Sequence, residues 1–297
     1  MNLKDYILRL VIAVYSVLLI PDNVLSQTVV TKETPAADSI KSDTGTKHAL
    51  YGGAGYGSNM VYLGSTISQS RPYGYASLSY GFNNEFYISL SSVHLSGLNP
   101  FAAFNIGSLS YNKVFNSWFD ISAGIYRYQV PESLTDTLFS SFTYGDLILG
   151  FDWRILYTKI SAGALLSAEN QGYFQLRNSR YFKTPDFGKK KMNISFDPYV
   201  NLLFGTLIEY IDSSETATTM STTSRKWGMY HTGTSTYTSY SKRFGLMEAD
   251  FGLPVALNTN RLTFEIEPDY VLPLYNDPDY PDSKGFIFML SLFIRIL

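Results

Sequence analysis

The last thirteen residues, Gly285–Leu297, alternate. Phe286, Phe288, Leu290, Leu292, Ile294 and Ile296 take every second position, while Ser291 and Arg295 fall in the other set. A period of two belongs to a strand with two unlike faces. One face is greasier than a water-facing surface tolerates. The stretch is too short and too charged for a spanning helix, yet about a dozen residues of tilted strand suffice to cross a bilayer.

Composition supports a wall of such strands. Charged residues make up 16% of the 297, against about 25% in soluble domains. Aromatic residues also reach 16%, with 24 Tyr and 20 Phe. Mean hydropathy is only −0.03, too low for a bundle of membrane helices. A barrel wall averages a lipid face with a polar lumen face and lands near this value. The net charge of −2 argues against a nucleic-acid partner. The chain has no cysteine, which excludes disulfides, thiol chemistry, cysteine-held metals and a lipidated N-terminal Cys.

The N-terminus reads as an export signal over 1–26. Lys4 and Arg9 precede the apolar run Leu10–Ile20, and Ser26 offers a small residue at the cut, so that Gln27 starts the mature chain. An uncleaved anchor helix is the alternative, and the shortness of the run stands against it. Residues 27–47 are rich in Thr, Ser, Lys, Asp and Ala without apolar period, as in a flexible periplasmic lead-in.

From His48 to Leu297 the pattern predicts one all-β domain of about twelve strands. They lie near 48–57, 71–82, 85–95, 101–115, 118–128, 141–153, 155–166, 173–182, 193–210, 243–257, 262–273 and 285–297. The turns at Asn83-Asn84, Asn116-Ser117, Trp153-Arg154 and 258–260 are tight. Between them fall longer segments at 58–70, 129–140, 211–242 and 274–284. Short turns on one side and long loops on the other suit a closed antiparallel transmembrane β-barrel. An even strand number puts both termini on the short-turn side. The short 96–100 on the loop side and the longer 183–192 on the turn side depart from this pattern.

Three segments separate cleanly by face. Leu262, Phe264, Ile266, Pro268, Tyr270 and Leu272 oppose Thr263, Glu265, Glu267, Asp269 and Val271. Met247, Ala249, Phe251, Leu253, Val255 and Leu257 oppose Glu248, Asp250, Gly252 and Pro254. Ile194, Phe196, Val200, Leu202, Phe204 and Ile208 oppose Asn193, Ser195, Asp197, Tyr199 and Asn201. A soluble β-sandwich alternates too, but the signal peptide, the aromatic excess and the strand lengths favour the membrane. Phe82, Phe86, Phe115 and Trp153 flank the tight turns as interfacial rings do. Strict parity points Trp118 inward unless a bulge intervenes.

On these residues, 48–297 resembles the outer-membrane β-barrel (porin-like) superfamily. The ending Ser291–Leu297 resembles the signal that the barrel-assembly machinery reads. Members usually end in an aromatic residue, whereas this chain ends in Leu297. The resemblance implies an outer-membrane location, contact with lipid and with other outer-membrane proteins, and both termini in the periplasm.

Chemistry is thinly supported. Only His48, His94 and His231 could serve as a base, and Ser91 and Ser92 near His94 do not make a triad. No catalytic residue and no cofactor are expected. Asp277, Asp279 and Asp282 offer oxygen ligands of the kind calcium takes, at a spacing that also suits a solvated loop. The lumen holds the main constellation. Parity turns Asp120, Asp146, Asp197, Glu248, Asp250, Glu265, Glu267 and Asp269 inward, against Lys159, Arg177, Arg261 and Arg295. Pairing around 258–260 is expected to bring Asp250 near Asp269. Either these residues form an internal charge network, or they line a pore that favours cations. The leading expectation is a porin-like channel for small solutes. A non-conducting accessory subunit or surface-binding scaffold comes second, and an outer-membrane hydrolase third.

Overall fold

A computed structural model describes residues 47–297, apart from 136, 167–170, 190, 213–216, 222–236 and 276–283. The expected signal segment, all of the lead-in except Lys47, most of the loop 211–242 with His231, and Asp277, Asp279 and Asp282 therefore lie outside the described residues.

Twelve strands make the wall: β1 His48–Gly57, β2 Tyr73–Phe82, β3 Phe86–Leu95, β4 Phe104–Asn116, β5 Phe119–Gln129, β6 Phe142–Asp152, β7 Tyr157–Leu166, β8 Gln171–Ser179, β9 in two pieces (Asn193–Phe196 and Tyr199–Asp212), β10 in two pieces (Tyr237–Gly252 and Val255–Asn258), β11 Leu262–Pro273 and β12 Gly285–Arg295. Each pairs antiparallel with the next, and β12 pairs with both β11 and β1. The sheet is closed and leaves no free edge for another chain to extend. A closed wall is also what a bilayer demands, because lipid offers no partner for backbone N–H and C=O groups.

Prolines cause the two interruptions. β9 breaks at Asp197-Pro198 and β10 at Leu253-Pro254, since proline has no N–H to give to the ladder. Neighbouring amides carry the sheet across the gap. Arg180 N–H donates to the Pro198 carbonyl at 3.1 Å, Asp197 N–H to Pro254 at 3.1 Å and Leu253 N–H to Pro268 at 3.0 Å. The β2–β3 turn uses Asn83 and Asn84, both left-handed at φ 55° and 57°. Asparagine enters that region more readily than most residues.

The outer face carries the apolar sets expected from the sequence. Phe286, Phe288, Leu292 and Ile294 of β12, Leu262, Phe264 and Ile266 of β11, and Phe196 and Val200 of β9 are exposed. Phe82, Phe86, Phe115 and Trp153 are exposed beside the tight turns. The closed wall, apolar belt and interfacial rings are the architecture of a transmembrane β-barrel.

Two bulges correct the parity. β9 and β10 slip at Leu203/Phe204, where Leu203 faces Glu248 and Phe204 faces Leu246. Met247 is the extra residue. It turns inward and is fully buried, so it leaves the apolar outer set in which alternation places it. A second slip at Val114/Asn116 precedes Trp118. Trp118 is half exposed and its ring lies 5.7 Å from that of Phe119, not in the lumen.

Candidate functional site

Viewed from inside, the wall has two halves. The loop-side half is apolar. Val93 and Leu95 of β3, Phe104 and Ile106 of β4, Tyr128 of β5, Phe142 of β6 and Leu203 of β9 point into it and are buried. Two connections fold down onto these residues instead of standing in solvent. The first joins β1 to β2. Its residues Val61–Tyr62 and Ser65–Thr66 pair as a small hairpin around Leu63 and Gly64, at φ 48° and 80°. Met60, Leu63 and Ile67 bury their side chains in the barrel core, and Ile67 is 0% exposed. The second joins β5 to β6 and adds Leu134, Leu138 and Phe139 to the same core.

Polar contacts hold this plug. Asn59 Oδ1 accepts hydrogen bonds from the Thr66 hydroxyl at 2.6 Å and the Ser68 hydroxyl at 2.7 Å. Met60 N–H donates to Ser68 Oγ at 2.9 Å. The Gln69 side-chain amide donates to the Thr137 carbonyl and so ties the two connections together. The Tyr275 hydroxyl donates to the Gly64 carbonyl. Tyr62 lies 5.4 Å, centroid to centroid, from Tyr128, which stacks at 4.3 Å on Phe142.

Below the plug lies a chamber of about 190 Å³. It brings together seven of the expected lumen residues: Asp146, Glu248, Asp250, Glu267 and Asp269, with Lys159 and Arg177. Arg177 is the central cation. Its guanidinium sits 3.8 Å over the Tyr199 ring and reaches Asp197 at 3.9 Å. The Tyr199 hydroxyl donates to Glu267 Oε1 at 2.7 Å, and Asn201 Nδ2 donates to Asp250 Oδ2 at 2.9 Å. The register differs from the expected one by two residues. Gly252 stands opposite Asp269, and Asp250 opposite Val271. Asp250 and Asp269 are therefore diagonal neighbours rather than a facing pair, which eases their repulsion.

Four of the remaining five sit toward the turn end. Asp120 accepts the Tyr157 hydroxyl at 2.8 Å. Asp197 and Glu265 are buried. Arg295 donates from Nε to the Leu297 carbonyl at 3.0 Å. Arg261, by contrast, is exposed at the β10–β11 turn.

Tyrosine narrows the lumen further. Tyr73 and Tyr75 of β2 lie over Gly57 and Gly55 of β1, and Tyr199 of β9 lies over Gly252 of β10. A Cβ at Gly55 would come within 2.3 Å of the Tyr75 ring. Glycine on the inner face thus makes room for a ring lying flat on the wall.

The two described histidines, His48 and His94, are occupied otherwise. His94 stacks on Phe101 at 4.7 Å and bonds the Phe101 carbonyl at 2.7 Å through Nδ1. Ser92, on the same face, donates to Asn105 at 3.1 Å, while Ser91 is buried inside. His48 meets the Tyr80 hydroxyl at 2.5 Å. Among the described residues, no group of three or more His, Asp or Glu could hold a metal ion.

The plug is what the sequence did not disclose. Its trace was Met60, Val61, Tyr62, Leu63 and Ile67 in a connection too apolar for solvent, with Val130, Leu134, Leu138 and Phe139 in the second.

No protein-family model matches the chain, nor does any curated protein. Among solved structures it is similar to the NanC porin, at 10% identity and TM-score 0.44, covering 83% of this chain and 99% of that one. It is similar to LpxR from Salmonella typhimurium at 8% identity and TM-score 0.45, with the same coverage. OprD of Pseudomonas aeruginosa follows at 12% identity and TM-score 0.32, covering 84% of this chain and 67% of that one. None of these likenesses bears on solute or chemistry.

Proposed function

We propose that this outer-membrane barrel is a closed-lumen scaffold that does not conduct at rest. Its short-turn end and both termini face the periplasm. The observation that supports this most is the plug: residues 58–70 lie inside the barrel, with Ile67 and Leu63 in the apolar core. Each large apolar side chain so buried favours the folded-in state by roughly 1.5–3 kcal/mol. Flat-lying tyrosines and the Arg177 network fill much of what remains. The working surface is then the exterior and the loop rim, with other outer-membrane proteins as partners and the barrel-assembly machinery as the route of insertion. The protein is not an enzyme in this reading, and it needs no cofactor.

A second reading has one observation in its favour. The chamber carries five carboxylates against two cations. If the plug moves out, the same chamber becomes a cation-favouring constriction. Planar-bilayer recording of the purified full chain separates the two. The scaffold reading expects no conductance steps at any moderate voltage. Steps that appear in the intact protein and shrink in Asp250→Asn/Asp269→Asn would replace it with the channel.

A further inference from the structure

The β8–β9 connection is the one turn-side segment that breaks the short-turn rule, and the closed lumen gives it no role. It is ordered. Phe182–Lys183 pair with Ser195 and Phe196, and Phe187 and Met192 exchange backbone hydrogen bonds at 2.7 and 2.9 Å around a tip at Gly188. Thr184 closes it further, donating from N–H to the Ile194 carbonyl at 2.9 Å and accepting the Ile194 N–H at Oγ1 at 2.9 Å.

Two kinds of side chain coincide on it. Tyr181, Phe182 and Phe187 are exposed, and Phe182 sits opposite Phe196 of the lipid-facing belt. Lys183, Lys189 and Lys191 are exposed beside them. Arg180 reaches the Arg154 carbonyl and so joins the hairpin to the β6–β7 turn, where Trp153 and Ile155 are also exposed. By sequence, six cations (Arg154, Arg180, Lys183, Lys189, Lys190, Lys191) accompany two acids (Asp152, Asp186), a local excess of four in a chain of net charge −2. Rings at the edge of an apolar belt with cations just beyond it match the boundary between acyl chains and anionic headgroups.

We infer that this hairpin binds anionic phospholipid headgroups of the leaflet at the short-turn end. The occupant follows from continuity with the lipid-facing belt and from charge. The inference stands whether or not the lumen conducts.

The test uses the full chain in nanodiscs that mix phosphatidylglycerol and phosphatidylcholine equally, with one or the other brominated. Trp118→Phe and Trp227→Phe leave Trp153 as the reporter. Brominated phosphatidylglycerol should quench Trp153 more than brominated phosphatidylcholine. Lys183→Gln/Lys189→Gln/Lys191→Gln should weaken the preference roughly ten-fold. The loop-end control Arg127→Gln/Lys242→Gln/Lys284→Gln should leave it intact, and heat-dependent gel mobility confirms that both variants fold. Equal quenching by the two lipids, or a preference that survives the lysine changes, would overturn the inference. So would a hairpin indifferent to both lipids that instead holds the barrel on an anionic polymer column, since that marks a soluble acidic partner.

Discussion

The two halves of the lumen share one wall and differ in what covers it. Toward the loops, Phe104, Leu95, Tyr128 and Phe142 meet Ile67, Leu63 and Phe139, and the region is a dry core. Toward the turns, Asp120, Glu265, Ser195, Asn193 and Thr263 line a polar interior. Antiparallel pairing closes the wall in both, with the proline interruptions lying toward the turns. What differs is how the inner-face side chains are stabilised. The loop-side half is stabilised by area removed from water. The turn-side half depends on satisfying polar groups one by one.

The largest effect should come from placing a charge in the dry half. Ile67→Asp strands a carboxylate among apolar side chains, at a cost of several kcal/mol unless the plug leaves the barrel. Protease cleavage within 58–70 should appear while the heat-dependent gel shift of the barrel persists. If the segment stays protected, the dry half tolerates charge and the contrast fails.

Next in size is Leu290→Arg on the outer face. It should cost roughly 2–4 kcal/mol if Leu290 lies near mid-membrane, and the same change at Phe286, near the rim, about 1 kcal/mol or less. Unfolding titrations in lipid vesicles give the ratio. Equal costs would show that the belt is placed wrongly along the barrel.

Arg177→Met removes the cation over Tyr199 and leaves the chamber's carboxylates against Lys159 alone. Breaking a buried pair costs about 3–5 kcal/mol, and the chamber's room for water should reduce this to roughly 2. Adding Glu267→Gln should recover part of it, because one carboxylate fewer needs compensation. A thermal melt in which the double variant is less stable than the single one would remove Arg177 from its central place.

The smallest change belongs to the polar end. Asp120→Asn keeps a partner for the Tyr157 hydroxyl, so the melt should move by no more than a hydrogen bond's net worth of about 1 kcal/mol. A larger loss would mean that the turn-side half is as tightly coupled as the dry half.

The strands were legible because a two-sided wall forces a period of two. All twelve are present, the tenth beginning at Tyr237, six residues before its expected start. What escaped were events that break the period or lie outside it. Met247 looks like one more apolar member of an alternating set until the bulge beside Phe204 turns it inward. The two-residue difference between Asp250 and Gly252 opposite Asp269 depends on where the chain turns after Asn258, which alternation does not determine. The plug escaped because 58–70 has no period at all. Only its run of Met60, Val61, Tyr62 and Leu63 spoke against a solvated loop. Of the candidate site, the charged residues could be read from the chain, but the lid that isolates them could not.

The central claim is that 58–70 sits inside the wall, and the absence of native cysteine makes it directly testable. A Cβ built at Gly64 lies 3.9 Å from the Cβ of Met247 on β10, close to the roughly 3.8 Å that a disulfide prefers. Gly64→Cys/Met247→Cys in the folded, membrane-inserted barrel should lose both free thiols on mild oxidation and form an intramolecular crosslink, visible as a gel shift reversed by reductant. Two thiols that stay free after oxidation, with the one at position 64 labelled by a membrane-impermeant maleimide, would put the segment outside the lumen and contradict the account.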